Sequence, residues 1–161
     1  PYSYHARLLD AGNAYYREHA SPYFIDLIRE ENTGPRYIAP RGRWHWITPF
    51  SPMGNNEVMA IHEHESDFGS LNPDDLRDLS YGVSRVLAFY ESLGHLSFNY
   101  AVYSAKGGAF SKSFRCLFKI ITRQNLYPNY RNDDYFLQKL LQSELIITPP
   151  EELALQLHAY F

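Results

Sequence analysis

A single cysteine, Cys116, is all the thiol chemistry in the 161-residue sequence. One thiol excludes an internal disulfide and a cysteine-based zinc cluster, and such sparing use fits a reducing cytoplasm. Long apolar runs are missing too: none approaches the roughly 20 residues that a membrane-spanning helix needs, so no membrane partner is expected. Nor does one sign of charge dominate. Fifteen Lys and Arg against 18 Asp and Glu give a formal net charge of −3, which provides no basic field to recruit nucleic acid or an anionic surface. Internal repeats, low-complexity tracts and long linkers are also lacking. The sequence starts at Pro1 and enters helical sequence directly, with no secretory pattern. The expectation is a single domain over residues 1–161 that is a piece of something longer. What the chain has in quantity is aromatic side chains, with 14 Tyr, 10 Phe and 2 Trp making 16%. They serve either a core or a surface for a ring-shaped ligand or a partner.

The pattern along the chain alternates helices and strands. Residues 4–19 read as a helix with Leu8, Ala11 and Tyr15 on one face, ended by Ala20-Ser21-Pro22. A short second helix runs to Glu31 and gathers Phe24, Leu27 and Ile28 before Asn32-Thr33-Gly34-Pro35 stops it. Strands are expected at Arg36–Arg41, Arg43–Thr48 and Glu57–His62, the first two joined tightly at Gly42. Alternation puts Trp44 and Trp46 on one face and His45 and Ile47 on the other. The clearest helix follows: Asn72 as N-cap, Pro73 at N1, Asp74 and Asp75 in the first turn, and a stripe of Leu76, Leu79, Val83, Val86 and Tyr90 closed by Gly94. Two further strands are expected at Leu96–Ser104 and Phe114–Arg123, separated by the turn Lys106-Gly107-Gly108. A helix capped by Asn132 or Asp133 and carrying Phe136, Leu140 and Leu141 comes next. A last helix starts from the capping-box spacing Thr148-Pro149-Pro150-Glu151. This order predicts an α+β fold, with an antiparallel sheet of about five strands covered by helices.

Several segments resemble galactose-1-phosphate uridylyltransferase and its relatives in the histidine-triad superfamily. Tyr23 to Glu31 followed by Arg36 resembles the family's acidic helix and the arginine opening its first strand. Trp46-Ile47-Thr48-Pro49-Phe50 is similar to its strand and Pro-Phe turn. Glu57-Val58-Met59-Ala60-Ile61 resembles the next strand, with Ile61-His62-Glu63-His64 where the family continues Pro-Lys-x-His. Ser97-Phe98-Asn99-Tyr100, Phe118-Lys119-Ile120-Ile121-Thr122-Arg123 and Pro150-Glu151-Glu152-Leu153-Ala154 resemble its later strands and final helix. The resemblance spans nearly the whole chain and implies a histidine-triad-like fold and the C-terminal half of such a protein. It also exposes a departure. The family's fifth strand carries a His-x-His pair; one register puts Arg115 and Leu117 there and the other Cys116 and Phe118. No His-Pro-His motif, which bears the nucleophile in the family's other half, occurs anywhere. The resemblance therefore implies a half without catalytic residues, partnered by an N-terminal histidine-triad half of the same protein and helping to hold a nucleotide sugar or sugar phosphate.

The candidate ligand contacts are His64, from its fit to the family position, and Arg115, Lys119 and Arg123, which alternate along the fifth strand as a row that could hold a diphosphate. Lys106 in its glycine turn and Trp46, able to stack a base or sugar, complete the set. The competing reading makes Arg115, Lys119 and Arg123 a solvated strand face and Trp44 and Trp46 core. Cys116, between Phe114 and Phe118, reads as a buried thiol, and Glu30 and Glu31 as a solvated pair. No cofactor is expected from these residues. Two alternatives stay open: a stand-alone, degenerate binding module for a nucleotide or sugar phosphate, acting as a homodimer, and a hydrolase holding a divalent metal such as zinc on His45, His62 and His64.

Overall fold

The structure is a computed structural model and describes residues 3–105, 110–123 and 146–161. The turn Lys106-Gly107-Gly108 and the helix expected around Phe136, Leu140 and Leu141 lie outside the described residues.

Two helices open the chain, α1 (Ser3–His19) and α2 (Tyr23–Glu31). Ala20 between them takes a left-handed φ of 55°, and the angle is locked through Asp26, which accepts from Ser21 Oγ at 2.7 Å and Tyr15 OH at 3.1 Å. The strands are β1 (Tyr37–Arg41), β2 (Trp44–Ile47), β3 (Val58–His62), β4 (Phe98–Tyr103) and β5 (Leu117–Thr122). Each lies inside its expected range, trimmed by one to three residues at an end. Gly42, at φ 54°, makes the β1–β2 turn. That conformation favours glycine at the first central position of a two-residue hairpin, and here a Cβ would also lie 2.0 Å from Asp78 Oδ2. The five strands form one sheet in the order β1-β2-β3-β5-β4, antiparallel at every pairing. The α+β, histidine-triad-like architecture expected from the sequence is the one observed.

Helices cover both faces. The long helix α3 (Pro73–Ser92) and the C-terminal α4 (Pro150–Leu157) lie on one. There Trp44, Trp46, Val58, Ala60, Phe118 and Ile120 meet Leu79, Val86, Phe89 and Leu157. Gly82 lets α3 approach: a Cβ there would sit 2.1 Å from Trp46 Cζ2. The start of α3 follows the expected pattern, with Asn72 and Asp75 exchanging a reciprocal capping box. The opposite face packs Ile47, Met59, Ile61 and Leu117 against Phe24 and Ile28 of α2, with Leu8 and Leu9 of α1 alongside.

The start of α4 departs from expectation. Pro149 is the N-cap and makes no side-chain cap bond, so Thr148-x-x-Glu151 is not a capping box. Glu151 turns to Arg36 at 2.8 Å instead, an ion pair that a neutral cap bond does not outweigh.

Candidate functional site

Strand alternation decides which sequence candidates can meet. On β2, Trp44 and Trp46 turn toward α3 and are fully buried. Trp46 therefore cannot stack a base or sugar; it is core, fixed by the close approach of Gly82. On the same strand His45 faces the other way, where Tyr37 OH lies 2.7 Å from its Nδ1. His62 pairs with Trp44 in register and shares its side of the sheet. His45 and His62 thus lie on opposite faces, and His64 sits beyond the strand with its ring exposed. The three imidazoles expected as an alternative metal set do not converge, and among the described residues no group of three or more His, Cys, Asp or Glu is placed to hold a metal.

His62 has a different use. Its Nδ1 accepts from the backbone N–H groups of His64 and Glu65 at 3.2 and 2.8 Å. That places the ring proton on Nε2, 3.3 Å from Asp75 Oδ1. Asp75 is gripped bidentately by Arg43 at 2.8 and 2.7 Å, while its own carbonyl accepts from Trp44 Nε1. Burial depresses the His62 pKa against the opposing pull of Asp75, so the ring is a neutral brace between the end of β3 and the start of α3.

The row of cations expected along the fifth strand separates into three roles. Arg115 precedes β5 and donates to the carbonyls of Glu63, Ser111 and Phe114. It ties the turn after β3 to the loop before β5, which puts it at the same end of the sheet as His64. Arg123 follows the strand and is exposed. Only Lys119 projects from the middle of the sheet, on the side of α1 and α2. Cys116 is fully buried on the α3 side, and burial pushes its thiol up to about 12, a structural thiol as expected.

Lys119 reaches a cavity of about 250 Å³ between the sheet and the first two helices. Tyr4 of α1, Tyr23, Phe24 and Leu27 of α2, Phe50 of the turn after β2, and Met59 and Leu117 of the sheet line it. Phe50 is 76% exposed and Tyr23 43%, so aromatic rings form the rim as well as the walls. Lys119 Nζ lies 2.8 Å from Glu57 Oε1, with the two side chains 15% and 1% exposed. The second Glu57 oxygen accepts from Met53 N–H. Burial alone would lower the Lys119 pKa, but the adjacent carboxylate outweighs it and holds the ammonium above its ordinary value. Outside the rim, Arg36 stacks over Phe50 at 5.2 Å and is itself paired with Glu31 and Glu151, each at 2.8 Å.

Glu57 and the aromatic rim were not singled out from the sequence. The signal available was one carboxylate beside the apolar run Val58 to Ile61 and one ammonium inside Leu117 to Ile121. Those two charges point to each other only once the strands are known to be neighbours. Leu117, which stands where one register of the resemblance expects a histidine, lines the same cavity. The other register's Cys116 and Phe118 turn into the core beneath α3.

A five-stranded antiparallel sheet clasped by a long helix is a histidine-triad-like fold, and solved structures share it. A uridylyltransferase superposes with a TM-score of 0.82 at 17% identity, covering 97% of this chain and 50% of that one. An ADP-glucose phosphorylase from Arabidopsis thaliana, solved with bound ADP-glucose, gives 0.70 at 16% identity, covering 93% of this chain and 47% of that one. A zinc-bound histidine triad family protein from Mycobacterium smegmatis gives 0.58 at 19% identity, covering 88% and 93%. Among curated proteins, an uncharacterized protein of Archaeoglobus fulgidus is 24% identical over 151 residues, which is 94% of this chain and 45% of that protein. The chain therefore spans about half the length of the relative and of the uridylyltransferase it matches. No family model matches. At these identities the likeness is one of fold.

Proposed function

We propose that this chain is the non-catalytic, C-terminal half of a galactose-1-phosphate uridylyltransferase-like nucleotidyltransferase, and that it helps to hold a nucleotide sugar or sugar phosphate for the other half, the α1–α2 pocket being its contact with a nucleotide sugar. The observation that carries this reading is the coverage: nearly all of the chain matches half of a uridylyltransferase at a TM-score of 0.82. The ADP-glucose phosphorylase, which binds ADP-glucose, matches over a similar half. The fifth strand supports the non-catalytic part, since it offers the pocket Leu117 and the core Cys116 and Phe118, and none of these can transfer a nucleotidyl group at neutral pH.

The sheet also supports a partner. Strand β4 lies at its edge, and Phe98, Tyr100 and Val102 project from it exposed. Among the described residues no strand pairs with the outer side of β4, and such an edge with an apolar face is a template for another chain or domain. The N-terminal half of the same protein is the occupant this reading assigns; a second copy, giving a homodimer, is the competing outcome.

The test has two arms. Thermal-shift screening against UDP-glucose, ADP-glucose and glucose 1-phosphate is expected to raise the melting temperature with at least one of them, and no shift with any refutes the binding role. Uridylyl transfer is expected only when an N-terminal half with a His-x-His nucleophile is present. Transfer by this chain alone, or a reading frame with no such half upstream of Pro1, refutes the assignment as a partner half.

A further inference from the structure

We propose that the α1–α2 pocket selects an uncharged, planar ring bearing a carbonyl oxygen, and that Glu57 sets this selectivity by neutralising Lys119. The proposal rests on the reading that this pocket binds ligand and specifies which part of the ligand enters it.

The sequence points to Lys119 as a phosphate contact, and the structure removes the basis for that role. A phosphate or carboxylate entering the pocket gives up its hydration, a large cost unless an unmatched cation receives it. Among the described residues, the one cation lining the pocket already faces a carboxylate at 2.8 Å. Glu57 is almost completely buried behind it, where water screens little of its repulsion toward a second anion. Arg36, which lies over Phe50 at the rim, is matched by two carboxylates. An anion at the floor therefore meets no net positive charge from the described residues.

A neutral ring meets complementary groups. An ammonium has three donors, and among the described residues its partner is Glu57, so a ligand carbonyl can accept from another. The rings of Tyr23, Phe24 and Phe50 offer faces and edges for stacking. A hexose fits this chemistry less well, because most of its hydroxyl groups would face apolar walls without partners. Size agrees: about 250 Å³ falls below the roughly 300–1,000 Å³ typical of sites that enclose a whole drug-sized ligand, which is room for one ring and not for a nucleotide. Any phosphate on the ligand stays outside the rim.

Uracil and orotate share one ring and differ by a carboxylate, so they isolate the charge. In NMR titrations of the purified protein, resonances of Tyr23, Phe50 and Lys119 are expected to shift with uracil at a dissociation constant at least about tenfold below that for orotate. Glu57→Gln is expected to close or reverse that gap by strengthening orotate binding. Orotate binding as tightly as uracil to the wild type overturns the selectivity, and an unchanged gap in a folded Glu57→Gln variant overturns the role of Glu57. Should that variant not fold, Lys119→Met/Glu57→Gln replaces the ion pair with a neutral floor and is expected to keep orotate out; a gain in orotate affinity there overturns the charge argument. If UDP-glucose shifts the pocket resonances while uracil and orotate do not, this inference fails and the ligand reading stands. Silence toward all three overturns both.

Discussion

Replacing Lys119 with Met tests the floor of the pocket directly. Methionine keeps an unbranched stem of similar length in the space between Met59 and Leu117 and removes only the charge. The cost falls on Glu57, whose carboxylate is 1% exposed and, among the described residues, keeps only the Met53 N–H as a donor. Breaking a buried ion pair by deleting one partner costs about 3–5 kcal/mol, because the remaining charge is stranded. Lys119 is 15% exposed, which gives water some access and places the expectation at the low end, about 3 kcal/mol. With a urea m-value of about 2 kcal/mol/M, the unfolding midpoint should fall by about 1.5 M. The two tryptophans, both fully buried, give the fluorescence signal. Lys119→Met/Glu57→Gln, which removes both charges, should regain most of the loss. A single variant destabilised by less than about 1 kcal/mol, or a double variant no more stable than the single, would show that the pair is not a buried one and refute the reasoning.

Two further perturbations examine the frame around the pocket. Gly82→Ala normally favours a helix by about 1 kcal/mol; here the new Cβ would lie 2.1 Å from Trp46 Cζ2, and overpacking of about 1–3 kcal/mol should win, lowering the melting temperature by several degrees, whereas a rise would mean that α3 does not lie against Trp46. His62, with its pKa depressed by burial from 6.5, should contribute stability in full above pH 6.5 and lose it as pH falls from there through its folded-state pKa, because the unfolded chain takes up the proton first. Urea titrations between pH 8 and 5 should show that decline in the wild type and a shallower one in His62→Gln, and equal slopes would exclude His62 as its source.

The order of elements was legible because each signal was local. Asn72-Pro73 with Asp75 three residues on from Asn72 writes a capped helix, Gly42 writes a hairpin, and the alternation of Trp44 and Trp46 with His45 and Ile47 gives the buried faces of β2 correctly. The histidine-triad-like fold followed from that order together with the resemblance. What proved illegible depends on contacts between distant segments. Nothing local distinguishes Lys119, pointed at a carboxylate just before the neighbouring strand, from Arg123, which is exposed. The spacing of Arg115, Lys119 and Arg123 suggested one row, but the strand proper runs only from Leu117 to Thr122, and residues beyond its ends leave the alternation. His62 and His64 failed as a metal pair for the same reason, since His64 lies past the end of β3. Thr148 failed as a cap because the helix starts after Pro149 and Glu151 is taken by Arg36, more than a hundred residues away in sequence.

The Lys119–Glu57 pair has two effects that a test of the pocket must separate. Strand β5 is buried on both faces, with Phe118 and Ile120, and Cys116 just before it, toward α3 and Leu117 and Lys119 toward α1 and α2. A strand apolar on both sides specifies its register weakly through hydrophobicity alone. A slip of one residue against β3 would swing Lys119 under α3, into the cluster around Trp46 and Phe89, and would leave Glu57 buried without its partner. Fixing register is the best attested use of a buried polar pair, which contributes little net stability compared with apolar replacements. That use would suit this pair, because it would hold β5 with Leu117 and not Cys116 facing the pocket, while the same contact balances the charge of Lys119 at the pocket floor. Loss of ligand binding in Lys119→Met alone would not tell the two apart. The double variant does: if Lys119→Met/Glu57→Gln folds with Cys116 still inaccessible to thiol reagents, the register has survived without the charges, and any change in its preference between neutral and anionic rings belongs to the chemistry of the pocket floor.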